Sequence, residues 1–554
     1  MDVRKITETF IRAGIKRKSV DWGSLPDVSV AVEIPRVAEH GDFSTNAAMQ
    51  LAKPLGRKPR EVAAELVAAI READDRGWFR ELSVAGPGFI NVVLSDEAWR
   101  EVLAAVLEKR ERFGASDAGR GQKVLLEFVS ANPTGPLHVG HGRGAAVGDA
   151  LAKLLAFAGH HVVTEYYVND VGNQMDNLGR SLFARYLQEC GREAPLPDDG
   201  YRGEYLADLA RQYRAEVGDR FAGASEAEAL PVFRKVACDR ILDGIREDLE
   251  TFKVRFDRWF REESLHAAGA VSGAVSDLLA RGQLYEADGA VYFRSESHGD
   301  EKDRVLVRSD GRSTYFAADV AYHRDKFRRS FDRMIDIWGA DHHGYAPRLS
   351  AALQGLGEDP GRLEILLVQF VTLIRDGKAV QMSTRSGEFT TLREVMDEVS
   401  VDAARFFYLL RSFHSHLDFD LTLAKTQSSE NPVYYIQYVH ARICSIFREA
   451  AERGTAVADR PSLSALTLPD EVGLMKQLAR FPDVVSEAAR LREPHRIPFY
   501  LLDLAREFHG FYHNHRFLGE TPERTQGRLA LARAVRSVVA TGLSLIGVSA
   551  PERM

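Results

Sequence analysis

The sequence predicts an α/β protein in which a parallel sheet, covered by helices on both faces, is preceded by a small α+β domain and followed by an α-helical bundle. Three observations support this fold class. Apolar runs alternate with helical periodicity through the middle of the chain, short strands and helices mix in its first part, and strand patterns end near residue 421. A chain of 554 residues with 45% hydrophobic content can form several cores. We therefore place domains at 1–115, 116–420 and 421–554.

The central domain begins with a strand, turn, helix, strand pattern. Residues 124–129 and 162–168 are apolar runs of strand length, and between them apolar side chains recur at three- and four-residue spacing over residues 147–158. This is the pattern of a Rossmann-type βαβ unit, whose free N–H groups and positive helix end face the crevice above the sheet. We expect an anionic ligand there.

His138 and His141 lie three residues apart at the predicted start of this helix, with Gly140 between them. The imidazoles offer hydrogen-bond donors to a triphosphate, and glycine lets its backbone approach closely. Two surface histidines near a turn would give the same short pattern. Their position, where a strand passes into its helix, favours the phosphate-binding interpretation.

The remaining elements follow from periodicity and turn residues. The first domain is predicted to hold helices and strands at 6–15, 28–32, 59–73 and 89–94. The parallel sheet is predicted to continue with strands at 291–293, 334–338 and 363–368, after a charge-rich helical insertion at about 175–262. The bundle is predicted to hold helices that begin near 434, 472, 498 and 527.

Composition limits the function classes. The net charge of -7 argues against indiscriminate nucleic-acid binding, yet from residue 421 onward 17 Lys and Arg accompany 14 Asp and Glu. That imbalance permits an RNA-binding C-terminal domain, and ordinary scatter on solvated helix faces would also produce it. No apolar run suits a membrane span, and no signal region is present, so a cytoplasmic location is expected. Cys190, Cys238 and Cys444 lack the spacing of a zinc site or a disulfide framework.

The stretch from Ser130 to His141 resembles the HIGH signature of class I aminoacyl-tRNA synthetases, and in its full length it is similar to that of arginyl-tRNA synthetases. Residues 381–385, Gln-Met-Ser-Thr-Arg, resemble a degenerate form of the KMSKS loop of the same class. Further segments that resemble this family lie at 41–46, 87–91, 314–323, 338–344, 431–442 and 550–554. The resemblance covers essentially the whole chain in the expected order.

The resemblance implies an enzyme that condenses L-arginine with ATP and passes arginine to the 3′-terminal adenosine of tRNA-Arg. Its partners would be tRNA-Arg, L-arginine and ATP, with Mg²⁺ carried by the nucleotide and no metal bound by the protein itself. It would act as a monomer in the cytoplasm. The first domain would contact the outer corner of the tRNA, and the helical bundle would bind the anticodon.

The resemblance also assigns site residues. Those that would bind ATP are Pro136, His138, Gly140, His141, Met382 and Ser383, and those that would act in catalysis are His138, His141, Met382, Ser383 and Arg385. Those that would bind arginine are Glu127, Ser130, Asn132, Tyr315, Asp319 and His343, with Asp319 as the guanidinium partner. Those that would bind tRNA are Tyr434, Tyr438, Arg442 and Met554. Adjacent His342 and His343, placed on a strand, would point to opposite faces and form no metal pair.

The sequence departs from the family pattern at two positions that bear on charge. The second lysine of the KMSKS loop is replaced by Thr384, and the position where some members carry a compensating lysine is Gly135. Lys378 and Arg385 are then the cations available to the leaving pyrophosphate. The resemblance implies that bound tRNA completes such a site.

Two other functions fit parts of the sequence. A HIGH-type nucleotidyltransferase for a small molecule would share the βαβ unit, but the N-terminal domain and the long helical C-terminus disfavour it. A tRNA-binding protein that has lost activation would explain the missing lysine. The intact Asn132, His138 and His141 argue against that loss.

Overall fold

The computed structural model describes residues 2–23, 28–35, 37–380 and 390–554. The first part of the chain forms a three-stranded antiparallel sheet, in the order β1-β3-β2, against which helices pack. Its elements are α1 (Val3–Trp22), β1 (Phe43–Thr45), α2 (Ala47–Leu55), α3 (Pro59–Ala73), β2 (Phe79–Ala85), β3 (Phe89–Leu94) and α4 (Asp96–Lys109). The predicted helices at 6–15 and 59–73 and the predicted strand at 89–94 are confirmed.

The predicted strand at 28–32 is wrong. Residues 28–32 have no ladder partner, and only the following Glu33 forms an isolated bridge, to Ser44. Val30 and Val32 are nevertheless buried. Their alternation therefore arises because an extended segment packs its apolar side chains on the core without joining the sheet.

The central part of the chain forms a five-stranded parallel sheet in the order β11-β10-β4-β5-β6. Its strands and the helices between them are β4 (Lys123–Glu127), α5 (Val139–Phe157), β5 (His161–Val168), α6 (Asn173–Glu189), α7 (Glu204–Val217), α8 (Glu226–Thr251), β6 (Arg258–Arg261), α9 (Glu262–Ala267), α10 (Ala270–Ala280), α11 (Tyr315–Arg328), β10 (Arg333–Gly339), α12 (Ala346–Gly355) and β11 (Leu363–Val368). Strand β4 is buried from Val124 to Glu127, as expected for a strand covered on both faces.

The order of the strands fixes where a ligand can bind. The chain leaves β4 for β5 on one side, and it later returns to β10 and β11 on the other side. The order therefore reverses between β4 and β10. In open parallel sheets, the crevice for ligands lies outside the carboxyl ends of the strands at such a reversal.

Two predictions for the central part were wrong in detail. The segment 175–262 is helical for most of its length, but it ends in the short strand β6, which pairs with β5 from Glu165↔Arg258 onward. The predicted strand at 291–293 exists, yet it lies in a separate antiparallel sheet. That sheet consists of β7 (Leu284–Ala287), β8 (Ala290–Phe293) and β9 (Arg304–Val307). Local pattern identifies a strand and does not identify the sheet it joins.

The last part of the chain is the predicted helical bundle. A small sheet in the order β13-β12-β14 precedes it, formed by β12 (Val371–Arg375), β13 (Lys378–Ala379) and β14 (Leu417–Asp420). Short helices α13 (Leu392–Val399), α14 (Val401–Tyr408) and α15 (Leu421–Lys425) accompany that sheet. The bundle itself comprises α16 (Pro432–Glu452), α17 (Pro469–Leu491), α18 (Arg496–Asn514) and α19 (Pro522–Leu545).

One buried arginine joins three parts of the molecule. Arg405, on α14, has no exposed surface and donates to the carboxylate of Asp149 in α5. It also donates to the carbonyl oxygens of Phe252, after α8, at 2.8 Å, and of Ile546, after α19, at 3.0 Å. Gly547 follows with φ of 70°, and a Cβ there would lie 2.3 Å from the guanidinium. The junction therefore requires both the arginine and the glycine.

Replacing Arg405 should destabilise the protein more than replacing an exposed arginine. In Arg405→Met the Asp149 carboxylate and two carbonyl groups lose a buried partner, which typically costs about 3–5 kcal/mol. In the control Arg506→Met only an exposed pair with Asp503 is lost, which costs less than about 1 kcal/mol. Urea unfolding followed by circular dichroism measures both. Equal losses in the two variants would show that the junction contributes no special stability.

Candidate active site

A cleft of about 1080 Å³ opens at the predicted edge of the parallel sheet. Its walls come from residues that follow β4, β5, β10 and β11, from the start of α5 and from α11. Pockets of a few hundred to about 1,000 Å³ hold small-molecule ligands. The cleft is thus large enough for an amino acid and a nucleotide together.

A strained turn carries the chain from β4 into the cleft. Val129 and Ser130 have φ of 67° and 41°, values that side chains other than glycine rarely adopt. Hydrogen bonds hold the turn in place. Ser130 Oγ donates to Glu127 Oε1 at 2.8 Å and accepts from the backbone N–H of Tyr167 at 3.1 Å. After this turn the chain enters the wall of the cleft, which Asn132 lines. Strained backbone of this kind is often found at functional sites.

The two predicted histidines cap helix α5. His138 is the N-cap residue, and its Nδ1 accepts from the N–H of Gly140 at 3.1 Å. His141 Nδ1 accepts from the N–H of His138 at 3.2 Å, and the two rings stack with centroids 3.7 Å apart. A Cβ at Gly140 would lie 3.0 Å from the His138 ring. The capping bonds fix both ring orientations before any ligand binds.

Both histidines are neutral at physiological pH. Burial lowers the pKa of His138, and burial together with the neighbouring His138 lowers the pKa of His141 to about 3. Because each Nδ1 accepts a backbone N–H, the proton of each neutral ring lies on Nε2. The pair therefore offers two Nε2–H donors to the cleft and no positive charge.

Two further carboxylates line the cleft. Asp319, in α11, accepts a hydrogen bond from the Tyr345 hydroxyl, and Glu262, at the start of α9, lies 3.4 Å from His266. Burial raises the pKa of both groups. Among the residues that the structure describes, neither carboxylate has a lysine or arginine within 4.0 Å. A cationic ligand would find two acceptors without cations of their own.

Glu127 lines the same cleft, but its carboxylate is bound within the protein. Lys326 Nζ forms an ion pair with it, the Tyr322 hydroxyl lies 2.8 Å away, and Ser130 donates to its other oxygen. Glu127 therefore differs from Asp319 as a predicted arginine ligand, because the carboxylate of Glu127 is already paired with Lys326. Its visible role is to join β4 to α11.

The other predicted ligands are distributed around the cleft. Asn132 lines it and donates to Gln174 Oε1 at 3.0 Å, and Tyr315 lines it with 51% of its surface exposed. Pro136 and His343 are not among the lining residues, whereas His342 is. The placement of both histidines on a strand was wrong, because a 3-10 helix, Ala340–His342, follows β10 directly.

The predicted KMSKS-like loop, with Met382, Ser383 and Arg385, lies outside the described residues. The chain after it is attached to the histidine turn. Thr390 O accepts from Val139 N at 3.2 Å, and Leu392 N donates to Leu137 O at 2.7 Å. The segment that follows the loop is therefore held against the start of α5.

Three arginines belong to the described lining of the cleft, namely Arg304, Arg308 and Arg348. Arg304 is bound to Asp300 at 2.7 Å, and Arg348 lies over the Tyr345 ring at 4.9 Å. Within the described ranges, Arg308 and Arg348 have no carboxylate within ion-pair distance. Lys378, in β13, is not among the lining residues.

The predicted tRNA ligands lie in the helical bundle, away from the cleft. Tyr434 and Tyr438 stack one helical turn apart on α16, and Arg442 lies 4.5 Å over the Tyr438 ring and 4.4 Å over that of Tyr512. Met554 is exposed at the end of the chain. The aromatic and guanidinium planes form a partly exposed surface on which an unstacked base could pack.

Among the residues at 2–23, 28–35, 37–380 and 390–554, no cluster of His, Cys, Asp and Glu could hold a metal ion. In the same ranges, no helix combines the length and apolar character needed to cross a membrane.

Comparison with known proteins identifies all three parts of the chain. Residues 5–94 match the arginyl tRNA synthetase N-terminal domain, residues 101–407 match the catalytic domain of tRNA synthetases class I (R), and residues 436–554 match the DALR anticodon binding domain.

Full-length relatives agree with these matches. The chain is 51% identical over 554 residues to an arginine–tRNA ligase of Syntrophotalea carbinolica, covering all of this chain and 99% of that protein. It is 52% identical over 534 residues to an arginine–tRNA ligase of Geobacter sp. strain M21, covering 96% of each. The arginyl-tRNA synthetase structure of Thermus thermophilus superposes with a TM-score of 0.76 at 25% identity over the whole of both chains. This chain therefore belongs to the arginyl-tRNA synthetases, the class I enzymes that charge tRNA-Arg with arginine.

Proposed function

We propose that the cleft binds L-arginine and ATP side by side and that this chain charges tRNA-Arg in two steps. In the first step an arginine carboxylate oxygen attacks the α-phosphorus of ATP, and the bond to the leaving pyrophosphate breaks. In the second step the terminal adenosine hydroxyl of the tRNA attacks the arginyl carbonyl, and AMP leaves. Little proton transfer is needed before pyrophosphate leaves, so positioning and charge neutralisation supply most of the acceleration.

The observation that carries this proposal is a pair of carboxylates, half-buried Asp319 and buried Glu262, that have no lysine or arginine within 4.0 Å among the residues the structure describes. A guanidinium group presents planar N–H donors and a positive charge that match such acceptors. Charging of total tRNA with each amino acid in turn tests the proposal, with arginine as the expected substrate. Charging with another amino acid at a comparable rate would refute it.

Asp319→Asn should raise the KM for arginine much more than the KM for ATP. Loss of one buried charge-assisted pair costs about 2–5 kcal/mol, which corresponds to about 30-fold or more in affinity. The control Asp325→Asn makes the same change on the same helix outside the cleft lining, where the carboxylate pairs with Arg329 at 3.0 Å. Steady-state charging kinetics measure both KM values. An equal rise for the two substrates would remove Asp319 from the arginine site.

At the start of α5, His138 and His141 would donate their Nε2–H groups to the phosphates of ATP. His141→Asn retains an oxygen that can cap His138 N–H but places no donor at Nε2, whereas the longer side chain in His141→Gln carries an N–H near that position. Turnover should fall about a hundredfold or more in the first variant and less in the second. Single-turnover charging provides the measurement, and wild-type turnover in His141→Asn would contradict the assignment.

Magnesium would arrive with the nucleotide, because the described residues offer no metal cluster. Neutral histidines, Thr384 and Gly135 supply no cation to the leaving pyrophosphate. The remaining cations would be Arg385, from the loop, and the Arg308 and Arg348 side chains on the cleft wall. Bound tRNA would complete this arrangement by repositioning the loop.

Arginine-dependent exchange of pyrophosphate into ATP should therefore be nearly absent with the protein alone and should appear when tRNA-Arg is added. A tRNA for another amino acid serves as the control and should not restore it. The protein must first be freed of RNA with ribonuclease and repurified. Vigorous exchange without tRNA would show that the site is complete before tRNA binds.

The bundle surface around Tyr434, Tyr438 and Arg442 would bind the anticodon, with Met554 at its edge. The proposal is supported by the cation–π arrangement of Arg442 and by the match of this region to an anticodon binding domain. We further propose that the enzyme acts as a cytoplasmic monomer.

A further inference from the structure

Helix α5 carries a buried arginine directly behind the histidine pair. His141 lines the cleft, whereas Arg143, two residues further along the helix, has no exposed surface. We propose that Arg143 is a positioning residue, which holds the wall formed by Gln369 and Phe370 at the place where that wall borders bound ATP. This inference rests on the proposed binding of ATP at His138 and His141.

The guanidinium of Arg143 is bound to main-chain oxygens of two distant segments. Nη1 donates to Gln369 O at 2.8 Å and to Phe370 O at 3.4 Å. It also donates to Ser415 O at 2.8 Å, and Nη2 donates to Ser412 O at 2.9 Å. A planar guanidinium has five N–H donors in fixed directions, so it can reach both segments at once. One side chain thus attaches the first turns of α5 to two loops that lie 226 to 272 residues away.

This arginine is costly to bury if its purpose is stability alone. Among the residues that the structure describes, its partners are carbonyl groups, and no carboxylate lies within 4.0 Å of it. Burial lowers the pKa of Arg143 to about 10, so the group remains a cation at neutral pH. Well-packed apolar side chains often replace buried ionic groups without loss of stability. The position of the bound segments therefore explains the arginine better than its contribution to stability.

The two segments together form one side of the cleft. Gln369 N donates to Phe413 O at 2.8 Å, and Leu417 N donates to Phe370 O at 3.1 Å, so the segments are joined to each other as well as to Arg143. Gln369 and Phe370 line the cleft, and 59% of the Phe370 surface is exposed. An exposed aromatic ring offers its face to a flat ligand group such as a purine base. The wall is therefore suited to contact the nucleotide.

The wall lies far from the carboxylates that would bind the guanidinium group. Gln369 follows β11, at one edge of the parallel sheet, and Glu262 follows β6, at the opposite edge. Four strand spacings of about 4.8 Å put roughly 19 Å between those edges. Burial and the nearby charge of Asp319 both raise the pKa of Glu262, so the two carboxylates lie close together. A displacement of the wall should therefore affect ATP more than arginine.

Steady-state charging kinetics of the full-length protein test the inference. Lysine at position 143 keeps the positive charge but lacks the planar set of donors, so it cannot hold both segments. In Arg143→Lys the KM for ATP should rise about tenfold or more, because small misplacements in a site have effects of this size. The KM for arginine should stay at the wild-type value. An unchanged KM for ATP, or an equal rise in both KM values, would overturn the inference.

Arg405→Lys is the matched control. Arg405 is also fully buried, contacts α5 through Asp149 and donates to main-chain oxygens, those of Phe252 and Ile546. These partners are not among the residues that line the cleft. If general destabilisation caused the effect of Arg143→Lys, the control would show the same effect. An equal rise in the ratio of the two KM values in both variants would therefore overturn the inference.

Phe370→Ala tests the wall itself and remains available should Arg143→Lys fail to fold, because the ring is largely exposed. This variant should also raise the KM for ATP while leaving that for arginine unchanged. A wild-type KM for ATP would overturn the inference. In the double variant the rise should be smaller than the product of the two single effects, since Arg143 acts through the position of the wall. A full product would show that Arg143 acts elsewhere.

His141→Asn distinguishes failure of this inference from failure of the proposed ATP site. If that variant turns over as the wild type does, the proposed site fails, and the inference fails with it. If its turnover falls as expected while Arg143→Lys keeps a wild-type KM for ATP, only the present inference fails.

Discussion

The architecture of the cleft depends on how buried negative charge is compensated. A buried carboxylate is stable as an ion only when charges or donors replace the water that it loses. Glu127 and Asp336 have Lys326, and Glu165 has Arg329, so these acids are compensated inside the protein. Within the part of the chain that the structure describes, Asp319 and Glu262 have no lysine or arginine within 4.0 Å. The fold therefore separates acids that hold strands and helices together from acids that remain available to a cation.

The parallel sheet makes that separation possible. Strands β4, β5 and β10 end at one edge, so side chains from distant parts of the chain meet there in register. Residues on the strands themselves, such as Glu127 and Asp336, face α11 and are satisfied by it. Residues at and just beyond the strand ends line the cleft, together with Asp319 from α11.

The sequence predicted those parts of the structure that depend on residues close together in the chain. Helix α3 was predicted at its observed bounds, and the βαβ unit with its histidine turn was predicted because strand, turn and helix are adjacent in the chain. The capping bonds of His138 and His141 span only three residues, so their pattern is visible in the sequence. The same holds for the bundle helices, whose apolar spacing is repeated over several turns.

The sequence was insufficient where partners are distant or elements are short. Strand β6 has only four residues and follows a long helical segment, so the sequence analysis did not predict it. The position of Glu262 directly after a strand was missed for the same reason. Tyr345 and Lys326 contact acids that lie 26 and 199 residues away. Nothing in local periodicity encodes such pairs. The prediction of a strand at 28–32 was wrong for a related reason, because strand pairing depends on a partner that the segment itself does not specify.

Helix α5 connects the chemistry of the cleft to the bundle. Its first turn carries the histidine pair, and its interior residue Asp149 is bound to Arg405, which in turn donates to the carbonyl of Ile546 at the end of α19. Gly142, in the same first turn, has no room for a side chain, because a Cβ would lie 2.7 Å from the Tyr408 hydroxyl of α14. Helix α14 therefore contacts α5 at Gly142 and at Asp149, and it contacts the end of the bundle at Ile546. A ligand that touched the bundle and the cleft at once would contact the two ends of this closely packed connection.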